Sequence, residues 1–146
     1  MKLSDLEREG FIKKLPIAKR KVQDSFNLAK RDLKIAKLIL KEDPDWAFTI
    51  AYNSLLQSSR ALMFSMGYRP HGHAQHISVI RFIEVVLGKE LSTLVLLFDR
   101  MRRKRHIAVY GAVGTISKSE SENAISRATE FLDKIQNILK TKNFLE

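Results

Sequence analysis

The sequence contains no cysteine. That removes disulfides, thiolate zinc sites and cysteine nucleophiles together, and it fits a reducing, cytoplasmic setting. Proline (3) and glycine (6) are scarce in 146 residues, so long periodic segments run with few breaks. No stretch alternates apolar and polar with the period of two that a half-buried strand needs. Apolar runs are short, such as Leu94 to Phe98, so no span across a membrane is expected. The first residues, Met1 to Asp5, run directly into charge, and no secretory leader is expected there.

Acidic residues are also in deficit, 16 against 26 Lys and Arg, for a net charge of +10. An acidic partner follows from that excess, nucleic acid being the commonest, and a charge-rich solvated surface is the plainer alternative. With 45% hydrophobic and 29% charged residues the chain is not disordered. Surface scaling for this mass hides about 69% of the unfolded surface, enough for a core without staples. The expectation is one domain over residues 1–146, its core running from about 16 to 140.

Periodicity and end signals predict an all-α, up-and-down bundle of four main helices with additional short ones. Ser4 with Glu7 reads as a capping box opening a short first helix that ends at Gly10. Pro16 suits the first turn of a second helix reaching Lys41. A third starts at Pro44 or Asp45 and ends at Ser65, with Gly67 as its cap. A fourth runs from Ala74 to Leu87 and a fifth from near Leu91 to Gly111. Ser117 with Glu120, or Ser119 with Glu122, opens the last, which continues to Lys142.

The fifth helix carries a basic run, Arg100-Met101-Arg102-Arg103-Lys104-Arg105. Charge runs are usually solvated faces. Helical phase singles out one member. With Arg105 at zero, Phe98 falls at about +20°, Leu94 at about −20°, Met101 at about −40° and Val109 at about +40°. Arg105 thus sits inside the apolar stripe, Arg102 at its edge, and Arg100 and Arg103 point away. A guanidinium facing inward keeps its proton and must meet a carboxylate, a phosphate or a wet cleft. An internal ion pair and an anion site in a groove are the two readings, and the second is preferred.

Arg105-His106-Ile107-Ala108-Val109-Tyr110 resembles the signature of the HEPN superfamily, an Arg followed by a polar residue, three more, and a His or, in several branches, a Tyr. Ala51 to Tyr68 is similar to the family's long helix and its Gly-Tyr-x-Pro turn, here Gly67 to Pro70, and the helix order from Pro16 to Leu139 matches as well. The resemblance implies an all-α bundle, often a homodimer whose Arg motifs face one cleft. It further implies binding of RNA or nucleotide and, in active members, metal-independent ribonuclease activity, some of these being toxins paired with a nucleotidyltransferase antitoxin.

Arg105, His106 and Tyr110 are then the candidate catalytic residues, and Arg100 and Arg102 join as RNA- or nucleotide-binding residues. Tyr110 stands where the family's catalytic His is expected, and a phenol with a pKa near ~10 is a poor base at neutral pH. His106 is the alternative proton carrier, and a second alignment pairs Arg100 with His106. Binding without turnover stays open beside catalysis, as does a non-catalytic module that partners a nucleotidyltransferase.

Three further groups complete the reading. Asn53, Gln57 and Arg60 form a polar stripe on the third helix, either plain solvent face or lining of an RNA groove. His71, His73 and His76 have a zinc-like spacing, but without Cys or a near carboxylate they read as exposed or helix-start residues, and no metal or cofactor is expected. Trp46, Phe48, Tyr52 and Phe64 are core or dimer-face residues before they are base-stacking platforms. The Lys-rich second helix reads as a solvated face that steers RNA. No P-loop, dinucleotide fingerprint or nucleophile elbow occurs.

Overall fold

The computed structural model describes residues 1–89 and 92–146. Its elements in chain order are α1 (Leu3–Arg8), β1 (Ile12–Lys14), α2 (Lys19–Ile39), α3 (Pro44–Ser65), β2 (Tyr68–Pro70), α4 (Gln75–Leu87), α5 (Ser92–Tyr110) and α6 (Lys118–Thr141). The architecture is an all-α bundle with one small ribbon. The expected start of the fifth helix, near Leu91, lies outside the described residues.

Helix α3 is the axis of the bundle. It packs against α2, α4, α5 and α6, and 14 of its 22 residues are buried, so it has core on nearly every side. Four of them are serines, and Ser54, Ser58 and Ser65 turn their hydroxyls back to carbonyls three residues earlier, at 2.6, 3.1 and 2.7 Å. That satisfies a buried donor without a partner across the interface and lets neighbouring helices approach closely. Asp43 caps the helix by accepting from the Trp46 amide at 3.0 Å, with Pro44 in the first turn where no N–H is missed.

The outer helices follow their stripes. On α2, Val22, Phe26, Ala29, Leu33 and Ala36 are buried at spacings of three and four, while its lysines face water. On α6, Ala124, Ile125, Ala128, Phe131, Leu132, Ile135 and Leu139 do the same. Ser117 is the cap of α6: its hydroxyl accepts from the Glu120 amide at 3.0 Å, and Glu120 reaches back to the Ser117 amide. Among the described residues no helix is long and apolar enough to cross a membrane.

Three local expectations are corrected. The first helix is capped two residues earlier than Ser4, at Lys2, since Asp5 rather than Glu7 reaches back, accepting from the Lys2 amide at 2.8 Å. The second helix begins at Lys19 rather than in the turn opened by Pro16. The reason is the third correction, a two-stranded antiparallel ribbon in which Ile12 pairs with Pro70, Lys13 with Arg69 and Lys14 with Tyr68. The pairing continues as the Leu15 amide donates to the Gly67 carbonyl at 2.8 Å, which keeps the chain extended as it approaches Pro16. Strands of three residues leave no alternation to read, and tertiary contact alone selects them. Gly67 turns from α3 into β2 with φ +81°, a conformation that a side chain would strain.

After α5 the chain crosses to the start of α3. The Asp45 carboxylate accepts from the Gly114 amide at 2.7 Å and the Ile116 amide at 2.9 Å, so the loop that follows the basic helix is pinned at both oxygens.

Candidate anion-binding site

The buried stripe of α5 is Val95, Phe98 and Met101. Arg105 continues that line and is half-buried, as its phase requires. Its guanidinium carbon lies 5.9 Å from the centre of the Tyr52 ring, within cation–π range. The Phe98 ring meets the same tyrosine edge-on at 5.5 Å. The Tyr52 hydroxyl is 3.2 Å from Nδ1 of His76, in the first turn of α4. One buried tyrosine on α3 therefore touches both helices that carry the candidate site.

Between the start of α4 and the C-terminal half of α5 lies an open cleft of about 430 Å³. His73, Ala74, Gln75, His76 and Ile77 form one wall, and Arg102, Arg103, Arg105 and His106 the other. Ala74 occupies the cap position of α4 and offers no side-chain oxygen, so the first-turn amides of that helix keep their partial positive charge on the cleft wall. Asp99 is engaged by two of the arginines, by Arg102 through Nε at 3.3 Å and by Arg103 through Nη2 at 3.6 Å. Among the described residues Arg105 has no carboxylate within ion-pairing distance. An inward-facing cation without a counter-ion, in a wet cleft with two more arginines, is a site of strongly positive potential.

That potential is felt by the neighbouring groups. Burial, and then the charges of Arg105, Arg60 and Arg102, hold the His76 pKa below the ordinary histidine value. Burial pushes the Tyr52 phenol up, against the opposing pull of Arg102, Arg105 and Arg60. Burial also lowers Arg60, with Tyr52 acting the other way.

The candidate residues divide. Arg102, Arg105 and His106 line the cleft together. Tyr110 stands beyond it, 72% exposed, with its ring 4.9 Å from that of His106. Arg100 is on another side of α5, in a groove against α6 beside Asn123. The polar stripe of α3 also splits. Asn53 donates to the buried Asp32 of α2 at 2.7 Å, and at Gln57 the backbone carbonyl accepts from the Ser25 hydroxyl at 2.8 Å. Arg60 is the member whose charge reaches Tyr52 and His76.

Arg103, on the outer part of the helical wheel, reaches the rim of the cleft because its long, exposed side chain turns back toward Asp99. Helical phase on α5 does not reveal the wall contributed by α4, for which a histidine in that helix's first turn is the available signal. Of the three clustered histidines, only His73 and His76 line the cleft. Among the described residues no three His, Asp or Glu side chains come together as a metal set.

The family model described as HEPN domain matches residues 22–138, from the first turn of α2 to the last turn of α6. No curated protein matches the chain. The match takes in both walls of the cleft, α3 and every helix packed on it, and the chain belongs to the HEPN family, whose function in general terms concerns nucleotides or RNA.

Proposed function

We propose that the protein binds RNA or a nucleotide through its phosphate in the α4–α5 cleft, with Arg105 as the principal anion ligand and Arg102 and His106 beside it. The observation that carries this reading is the half-buried Arg105 guanidinium, held over Tyr52 and free of any carboxylate among the described residues. A guanidinium matches a phosphate's oxygens with two parallel hydrogen bonds, and it is stronger where water is partly excluded.

Slow metal-independent cleavage is the finer form of the same proposal. The RNA's own 2′-oxygen attacks phosphorus and loses its proton, the P–O5′ bond breaks, and O5′ gains a proton. Arg105 neutralises the crowded phosphoryl oxygens, and His106 on the cleft rim handles a proton. A second copy of the chain is part of this reading, two Arg motifs facing one groove.

The test uses a labelled single-stranded oligoribonucleotide in EDTA. The wild type should bind it with an affinity that falls steeply as salt rises. Arg105→Ala should weaken binding at least about tenfold, the usual worth of a hydrogen bond to a charged group. Equal binding by wild type and Arg105→Ala would sink the reading. Loss of full-length RNA that disappears in the same variant supports turnover.

A second reading rests on a different observation. Ile107, Tyr110 and Val113 expose apolar side chains around the end of α5, at 51, 72 and 98%. Such a patch suits a protein partner, here a nucleotidyltransferase. A stoichiometric complex abolished by Ile107→Asp, with no RNA binding by the free chain, would favour it.

A further inference from the structure

Tyr52 is fully buried, and among the described residues the only polar partner of its hydroxyl is Nδ1 of His76, at 3.2 Å. A phenol hidden from water keeps its proton, and burial here raises its pKa despite three nearby arginines. Nδ1 is the one acceptor among the described residues within reach of that buried proton, so the arrangement that leaves no donor orphaned has the hydroxyl donating and Nδ1 accepting. A neutral imidazole that accepts at Nδ1 carries its own proton on Nε2. No other described group hydrogen-bonds to the ring, and the half-exposed His76 forms part of the cleft wall. Its remaining polar atom is the Nε2–H.

We propose that His76 is a further phosphate ligand of this cleft, donating Nε2–H as a neutral imidazole whose tautomer is fixed by Tyr52. The assignment rests on the cleft being a phosphate site, as proposed above. It gives His76 a role other than that of a base, because Nδ1 is occupied and Nε2 already holds a proton. Tyr52 is a positioning residue and acts through His76 alone.

The surroundings explain why a neutral donor belongs there. Facing His76 are Tyr52 and Arg60 from α3, and Arg102 and Arg105 from α5, with His73 in the turn before α4 and Asp99 behind Arg102. Burial and the charges of Arg105, Arg60 and Arg102 all oppose a second proton on the ring. A fourth cation would add repulsion to an already positive site. A neutral N–H adds direction without that cost, and its orientation is set before the ligand arrives.

The experiment is a long-range proton–nitrogen spectrum of the histidine rings in the ¹⁵N-labelled chain. It is recorded free, with inorganic phosphate, and with an unlabelled single-stranded oligoribonucleotide. From about pH 6 to 8 the free protein should hold His76 as the Nε2–H tautomer. Phosphate should shift the Nε2 resonance while Nδ1 keeps its acceptor signature. Tyr52→Phe, which keeps the ring in the core, should lose the fixed tautomer.

In oligoribonucleotide binding, His76→Phe should weaken the complex about tenfold or more, and His76→Gln, which restores a donor, should recover most of that loss. An Nδ1–H tautomer, or an Nε2 resonance that phosphate leaves unmoved, overturns the proposal. The two readings fail separately. RNA binding that needs Arg105 but leaves the His76 Nε2 unmoved removes His76 as a ligand and keeps the cleft. A phosphate-dependent shift at Nε2 in a chain that binds no RNA keeps the ligand and removes the RNA.

Discussion

The basic run of α5 faces two different neighbours. Toward α6, Lys104 is paired with Glu120, which the bond holds below the usual carboxylate pKa range, and Arg100 lies in the groove beside that pair. Toward α4, Arg105 sits half-buried over an aromatic ring with no described carboxylate to meet it. Residues adjacent in sequence thus have opposite fates. One cation is neutralised by the fold across a helix interface, and the other has no carboxylate partner among the described residues. Net charge alone does not separate the two; the angle around the helix axis does.

The largest effect expected on the cleft side is structural. Phe98→Ala removes a buried ring that supports Tyr52 and should cost about 3–5 kcal/mol in chemical denaturation. The same change at Leu96, 68% exposed on the same helix, should cost under about 0.5 kcal/mol. Next comes the contrast between the two cations. Arg105→Ala should lose at least about tenfold in oligoribonucleotide affinity, against less than about threefold for Lys104→Ala. Equal losses in a binding titration would erase the distinction between the two sides.

Asp45→Ala frees two backbone amides of the loop after α5 and should destabilise by about 1–3 kcal/mol, read as a lower denaturation midpoint. A pH effect follows from His76. Its pKa is depressed in the folded state, so the unfolded chain takes the proton first. Its contribution to stability is complete above the ordinary histidine value of about 6.5 and is lost as pH falls through the folded value. Melting temperatures measured from neutral to mildly acidic pH should therefore fall less in His76→Gln than in the wild type. The smallest effect belongs to the α6 side. Lys104 and Glu120 are 40 and 38% exposed, so Lys104→Ala should cost under about 1 kcal/mol of stability.

Much of this was legible in the sequence because it depends on local spacing. The stripe from Val22 to Ala36, the Ser117–Glu120 cap and the inward phase of Arg105 all follow from helical repeat and end chemistry. What was not legible joins distant parts of the chain. Tyr52 meets His76 across 24 residues, and Asn53 meets Asp32 across 21. The ribbon brings Ile12 to Pro70 with strands too short to leave a pattern. Asn53 looked like groove lining because nothing local announced the buried carboxylate it serves.

The tyrosine at the meeting of three helices works like the keystone of an arch. A ligand of the proposed kind would press on side chains that already lean on that ring, so its binding should be felt as a stiffer bundle. The same arrangement limits how such a protein can change. Substitutions at the centre disturb the scaffold along with the pocket, which leaves the rim, at Arg103, His106 and Gln75, as the place where preference for one ligand over another can drift without risk to the whole.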